Sequence, residues 1–379
     1  MRPSFKVPFG TISVTPKARQ LINQALDAGW LTKGEYVRLF EEEFAQLFGV
    51  KEAVAVSSGT DADALACAVL HDYGAHRGDE IIVPALSFVA TANAVLQAGF
   101  TPVFVDVHRE TLNIDPDKIE AAITAKTRAI MPVHLMGKPA DMDRIQEIAG
   151  DHHLYIIEDA AEAHGAEYQG KMIGTFGAMA AFSLYAAHII TTIEGGIVLT
   201  NDKRMADVLR SLRNHGIVNK FEFQRIGFSA KMNEVEAAIG LGNIAIFSSI
   251  LGRRRRNLLY MIEQFRPFDG FFITLKEGPR EKIGPHAFSI ILREGVGFTK
   301  DEFVRHIETA GIDSRNLFYS MPTQCPGYAW LGHRRGDFPE AEYCSDQGCH
   351  IGIHQALELK DLDYVAGVVR EFLKKKGLM

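Results

Sequence analysis

The stretch FSLYAAHIITTIEGGIVLT, residues 182–200, decides how the rest of the chain is read. Its first residues belong to an apolar run, 180–184, of the length of a buried strand. A second run, 197–200, follows the Gly195-Gly196 pair, which marks a tight turn. The loop between them holds small and hydroxyl residues and one imidazole, His188. A loop histidine is most often a surface or hydrogen-bonded structural group. An imidazole with an ordinary pKa of about 6.5 can also take up and return a proton near neutrality, so His188 is equally a candidate acid and base.

Upstream, short apolar runs alternate with helical patterns. A strand at 53–56 runs through Ser57-Ser58-Gly59-Thr60 into a small-residue helix at 62–70. Such a turn is an anion site, because unpaired N–H groups and the positive end of the helix dipole point to one place. Strands at 81–83, 102–105, 129–133 and 154–157 alternate with helices at 90–98, 116–123 and 142–149. The pattern predicts an α/β fold with a mainly parallel sheet covered on both faces, its site beyond the carboxyl ends of the strands. Ser57 to Thr60, Phe88, Asp159, Ser183 and His188 all fall just after predicted strands. Asp159 closes the apolar run LYIIED, where a carboxylate is costly without a partner; the plainer reading is a cap for the next helix.

Outside this region, helices are predicted at 15–28, 37–48 and 233–241, and Arg253 to Arg256 read as a solvated helix face, a diphosphate contact being the alternative. The runs FFITL and AFSIIL with a helix at 300–310 suggest a smaller α+β domain. The expected division is 1–248 and 249–379.

With 47% hydrophobic residues in 379, the chain can bury a large core, and its net charge of −6 argues against a nucleic-acid platform. The start MRPSFKVPFG lacks a signal-peptide pattern and no apolar run is long enough to span a membrane, so a cytoplasmic protein without membrane partners is expected. Cys67, Cys325, Cys344 and Cys349 lack CxxC spacing and read as free thiols. No metal is expected, although the last three, with His350 and His354 nearby, leave a metal or cluster open.

The quoted stretch resembles the catalytic segment of the pyridoxal-phosphate-dependent sugar aminotransferase family (DegT/DnrJ/EryC1/StrS type), close to FSFYxxKxxTTGEGG with a Schiff-base lysine. Here the lysine position is His188. The likeness extends through LTKGEYV, PALSFVATANAV, EDAAEAHG, RNHG and GFSAKMNEVEAAIG to GIHQALELKDLDYV. It implies an aspartate-aminotransferase-like (fold type I) architecture, a homodimer, and pyridoxal 5'-phosphate or pyridoxamine 5'-phosphate as cofactor. Gly59, Thr60 and Asp61 would then form the phosphate cradle, with the Asp61 side chain turned away, and Ser183 would donate to the phosphate. Phe88 would stack on the ring and Asp159 would pair with its protonated nitrogen. Glu162 stands where glutamine is usual, and Ser229 replaces an asparagine that reaches the neighbouring subunit's phosphate. His215 is a second catalytic candidate.

Histidine in place of the lysine resembles the sugar 3-dehydratase branch, nearest to the enzymes acting on GDP-4-keto-6-deoxy-D-mannose. That implies a lyase removing the C3 hydroxyl of a nucleotide-linked 4-keto-6-deoxysugar, with glutamate as amino donor. The alternatives are an aminotransferase with an unusual site and a non-catalytic cofactor- or sugar-binding homologue.

Overall fold

A computed structural model describes residues 5–379. Seven strands build the central sheet: β1 (Glu52–Val56), β2 (Glu80–Pro84), β3 (Thr101–Val105), β4 (Thr127–Ile130), β5 (Tyr155–Asp159), β6 (Met179–Ser183) and β7 (Gly196–Thr200). Their order across the sheet is β1-β7-β6-β5-β4-β2-β3. Every neighbouring pair is parallel except the two that β7 makes, so β7 alone runs against the other six. Near-continuous burial along these strands reflects apolar cover on both faces, as a parallel sheet requires. The mainly parallel α/β sheet read from the alternation is therefore present.

The helices start where local chemistry places them. α1 (Pro16–Ala28) opens with Thr15, whose hydroxyl accepts from the Ala18 N–H, followed by proline in the first turn; it ends at the left-handed Gly29. α2 (Glu35–Phe48) lacks a cap of its own. The Glu234 carboxylate accepts from the N–H groups of Gly34, Tyr36 and Val37 instead, across the packed face of α5 (Glu234–Ile244). Between them in sequence, α3 (Gly59–Val69) and α4 (Ala90–Gln97) follow β1 and β2. The helix expected at 116–123 reduces to a 3-10 turn and one α-turn at Ile119–Ala122.

α6 (Phe247–Phe265) is continuous across the expected division at 248/249, so the chain passes from one part to the other inside a helix. Beyond it, β8 (Phe272–Ile273), β9 (Ala287–Leu292), β10 (Ser314–Asn316) and β11 (Gly348–Gly352) form a four-stranded antiparallel sheet in the order β8-β9-β11-β10. α7 (Leu359–Lys375) packs on α6. The amino-terminal segment belongs with this sheet, since Val7 bridges Ile312. Among the described residues no single helix is long and apolar enough to cross a membrane.

The reading of Arg253 to Arg256 as a solvated face requires correction. Arg253 and Arg256 are exposed, but Arg254 is 1% exposed and lies on the buried stripe of α6 with Ile250, Asn257, Leu258 and Met261. Arg255 is half-buried and pairs with Glu277 at 2.8 Å.

Candidate active site

Strand register gathers the site. Val56 at the end of β1 pairs with Gly196 at the start of β7, and Gly196 pairs with Ser183 at the end of β6. One strand further on, Asp159 ends β5 opposite Ala181. The reversed β7 therefore brings its amino end to the edge where three parallel strands present their carboxyl ends.

At this edge α3 begins. The Ser58 hydroxyl accepts from the Asp61 N–H at 3.1 Å, and the Ser58 carbonyl accepts from Ala62, while the N–H groups of Gly59 and Thr60 have no intrahelical acceptor. Ser183 packs onto Gly59, where a Cβ would lie 2.7 Å from the Ser183 Cβ. The Asp61 side chain is held within the turn itself. Its Oδ2 accepts from the hydroxyls of Ser57 and Ser58 at 2.7 and 2.8 Å, because two donors one turn back compensate the carboxylate better than an open direction would.

Asp159 is buried. Its Oδ2 accepts from the Thr91 hydroxyl at 2.7 Å and its Oδ1 from the Ala161 N–H at 3.2 Å, with no cation at ion-pair distance among the described residues. Burial pushes its carboxyl up, against the two hydrogen bonds. The neighbouring Glu158, equally buried on the opposite face of β5, is satisfied by the N–H groups of Gly174, Phe176 and Gly177 and faces His134 at 3.2 Å. Neither Thr91 nor Glu158 stands out in the sequence. Thr91 sits one helical turn after Ser87, whose hydroxyl it meets at 2.8 Å, and that spacing was the available signal.

His188 lies in the loop between β6 and β7, partly exposed, with Nδ1 buried and without a partner. The accessible side of the ring is therefore that of Nε2. Its ring stands 4.9 Å from that of His286 and 5.9 Å from that of His164. Burial, then the Arg254 cation, pushes the His188 imidazole down to about 3. His164 and His286 are driven well below the ordinary range, again by burial first and then by His188 and Arg254. Glu162 lies 3.2 Å from His286 Nε2 and accepts from the Met136 N–H at 2.6 Å; burial pushes it up to about 8. His164 lies within EDAAEAHG, yet neither it nor His286 stands out in the sequence, because both reach His188 only through the fold.

Phe88 is 58% exposed, its ring 5.8 Å from that of Phe318 and otherwise open. Ser229 and His215 are exposed on neighbouring segments. His215 has a left-handed backbone (φ 61°) and its N–H donates to the Phe228 carbonyl, while Asn214 bridges Ser229. Their hydrogen bonds run within this segment, apart from the His188 cluster. Cys67, Cys344 and Cys349 are buried free thiols and Cys325 is half-buried. Among the described residues no group of three or more His, Cys, Asp or Glu is arranged to hold a metal ion.

A pyridoxal phosphate group requires an anion site and a carboxylate for its protonated ring nitrogen. The open N–H groups at the start of α3 meet the first requirement, and the buried Asp159, without a cationic partner, meets the second. Residues 13–370 match the DegT/DnrJ/EryC1/StrS aminotransferase family. GDP-perosamine synthase of Caulobacter vibrioides is 38% identical over 362 residues, covering 94% of this chain and 95% of that protein. GDP-4-keto-6-deoxy-D-mannose 3-dehydratase of Escherichia coli O55:H7 is 32% identical over 375 residues, covering 92% and 95%. A crystal structure of GDP-4-keto-6-deoxymannose-3-dehydratase with a trapped PLP-glutamate geminal diamine is similar with a TM-score of 0.88 at 30% identity, covering 96% of this chain and 100% of that one. The chain belongs to the DegT/DnrJ/EryC1/StrS aminotransferase family and is a pyridoxal-phosphate-dependent enzyme that modifies nucleotide-linked sugars.

Proposed function

We propose that the enzyme is a 3-dehydratase of a nucleotide-linked 4-keto-6-deoxysugar, with glutamate as amino donor. His188 carries this reading: it occupies the loop between β6 and β7 where the family's Schiff-base lysine stands, and it can move protons but cannot anchor the cofactor covalently. When bound, the cofactor supplies an amine that condenses with the C4 ketone and a ring that takes up electrons. The N–H groups of Gly59 and Thr60 and the Ser183 hydroxyl would hold its phosphate, Asp159 its protonated nitrogen, and Phe88 a ring face. Glu162 would act from beside His286. The neutral His188 imidazole accepts a proton at Nε2 and returns it to the C3 oxygen as that leaves as water. Hydrolysis then releases a 3-deoxy ketosugar and ammonia.

The active unit is proposed to be a homodimer. An arm carrying Phe221 and Ile226, 82% and 81% exposed, adjoins Ser229 and His215, and a second copy covering it would remove that apolar surface from water. A second reading, amino transfer to the sugar, is favoured by the 38% identity to a GDP-perosamine synthase. The two differ in product. The protein is incubated with pyridoxal phosphate, glutamate and a panel of nucleotide-linked 4-keto-6-deoxysugars, and the sugars are weighed. A 3-deoxy ketosugar with free ammonia is expected; an aminosugar establishes the second reading, and no turnover contradicts both.

A further inference from the structure

Arg254 is among the largest fully buried side chains, yet no carboxylate lies within ion-pair distance of it among the described residues. A buried cation in that position is costly unless its donors are met. Each of its three nitrogens has an acceptor. Nε donates to Gln355 Oε1 at 2.9 Å, Nη1 to the carbonyls of Pro285 and His286 at 3.4 Å each, and Nη2 to those of Ala187 and His188 at 3.4 and 3.5 Å. All three nitrogens are engaged within the protein and are not held free for a substrate diphosphate. Four of the five bonds instead join two loops, one carrying His188 and the other His286.

We propose that Arg254 is the positioning residue of the His188 base, its guanidinium tying the Ala187–His188 carbonyls to the Pro285–His286 carbonyls and so setting the two imidazoles against each other. A planar fork suits this task, since its two terminal nitrogens each meet a pair of carbonyls. The same cation adds to burial in holding His188 neutral. The groups facing His188 are the rings of His164, His286 and Tyr185 and the Arg254 charge, with Glu162 behind His286. The proposal rests on His188 acting as the base, and its test is therefore read on the imidazole as well as on turnover.

The holoenzyme is labelled in its histidine rings and titrated by NMR as wild type, Arg254→Met and Arg254→Lys, with His188→Asn identifying the His188 signal. Wild-type His188 stays neutral down to pH 4. In Arg254→Met its midpoint rises by about one pH unit or more and kcat falls about tenfold to a hundredfold with KM little changed. Arg254→Lys retains the charge without the fork, so the wild-type titration is kept while kcat still falls. An unaltered His188 titration in a folded Arg254→Met protein overturns the proposal. Should the methionine variant not fold, wild-type kcat in Arg254→Lys overturns it. Full dehydration by His188→Asn sinks the base reading alone, since the titrations are measured without turnover.

Discussion

Asp159 and Glu158 are adjacent carboxylates on one strand with opposite fates. Side chains alternate across β5, so Glu158 points to the face where three backbone N–H groups converge, whereas Asp159 meets one hydroxyl and one N–H. Asp159→Asn is thus expected to leave the protein without cofactor as stable as wild type or more so, because it removes a buried charge that lacks a cationic partner. Cofactor affinity falls by about 1.5–3 kcal/mol, the worth of a hydrogen bond to a charged group. Thermal unfolding with and without pyridoxal phosphate checks this; an equal midpoint gain on adding cofactor to both proteins removes Asp159 from the site. The carboxylate at the end of an apolar run is conspicuous in the sequence. Which N–H groups come to meet its neighbour is set by the turn at Gly174 to Gly177, and no local pattern announces that.

At the scale of elements, the site depends on backbone passing close to backbone. A Cβ on Gly196 would lie 2.1 Å from the Ser58 carbonyl oxygen and 2.9 Å from the Gly59 nitrogen, so Gly196→Ala must displace the start of α3. A loss of about 1–3 kcal/mol in stability is expected, together with weaker cofactor binding measured by absorbance titration; wild-type values for both contradict the cradle. The strands at the site are legible from apolar runs, but the tight turn expected at Gly195-Gly196 is absent, because Gly196 is already the first residue of β7, paired with Val56 and Ser183. The reversal of β7 is not legible, since a buried strand reads alike in either direction. Arg254 is hidden for a different reason: four consecutive arginines suggest solvent, and only the spacing Ile250, Arg254, Asn257, Leu258, Met261 assigns one of them to the buried stripe.

For the whole molecule, buried histidines govern the response to acid. Burial, then Arg315, pushes His350 down to about 3, and burial, then Arg254, pushes His354 down to about 4. His164, His188 and His286 shift the same way. Each binds its proton more readily when unfolded, so stability falls as the pH drops from about 6.5 toward 4. Glu162 acts oppositely: its contribution is full below its unfolded value near 4.5 and is lost as the pH rises through about 8. The thermal midpoint should fall between pH 6.5 and 4, and fall less in His350→Phe, because that ring packs on Phe9 and Phe318 and leaves Nδ1 unpaired. Equal midpoints at the two pH values would contradict this. The extent of the central sheet is readable along the chain, whereas this histidine cluster draws on residues 164, 188, 286 and 350, which only the folded chain brings near one another.

The central claim is that His188 moves the proton that drives loss of the C3 hydroxyl. Wild type, His188→Asn and His188→Lys are incubated with pyridoxal phosphate, glutamate and the accepted ketosugar, and the sugar products are weighed over time. Wild type is expected to give a 3-deoxy ketosugar. His188→Asn should retain cofactor and lose this product by about a hundredfold to ten-thousandfold, the range of general base catalysis. His188→Lys restores a base that also competes for the cofactor, so dehydration falls and aminosugar appears. An aminosugar as the wild-type product, or undiminished dehydration by His188→Asn, would contradict the account.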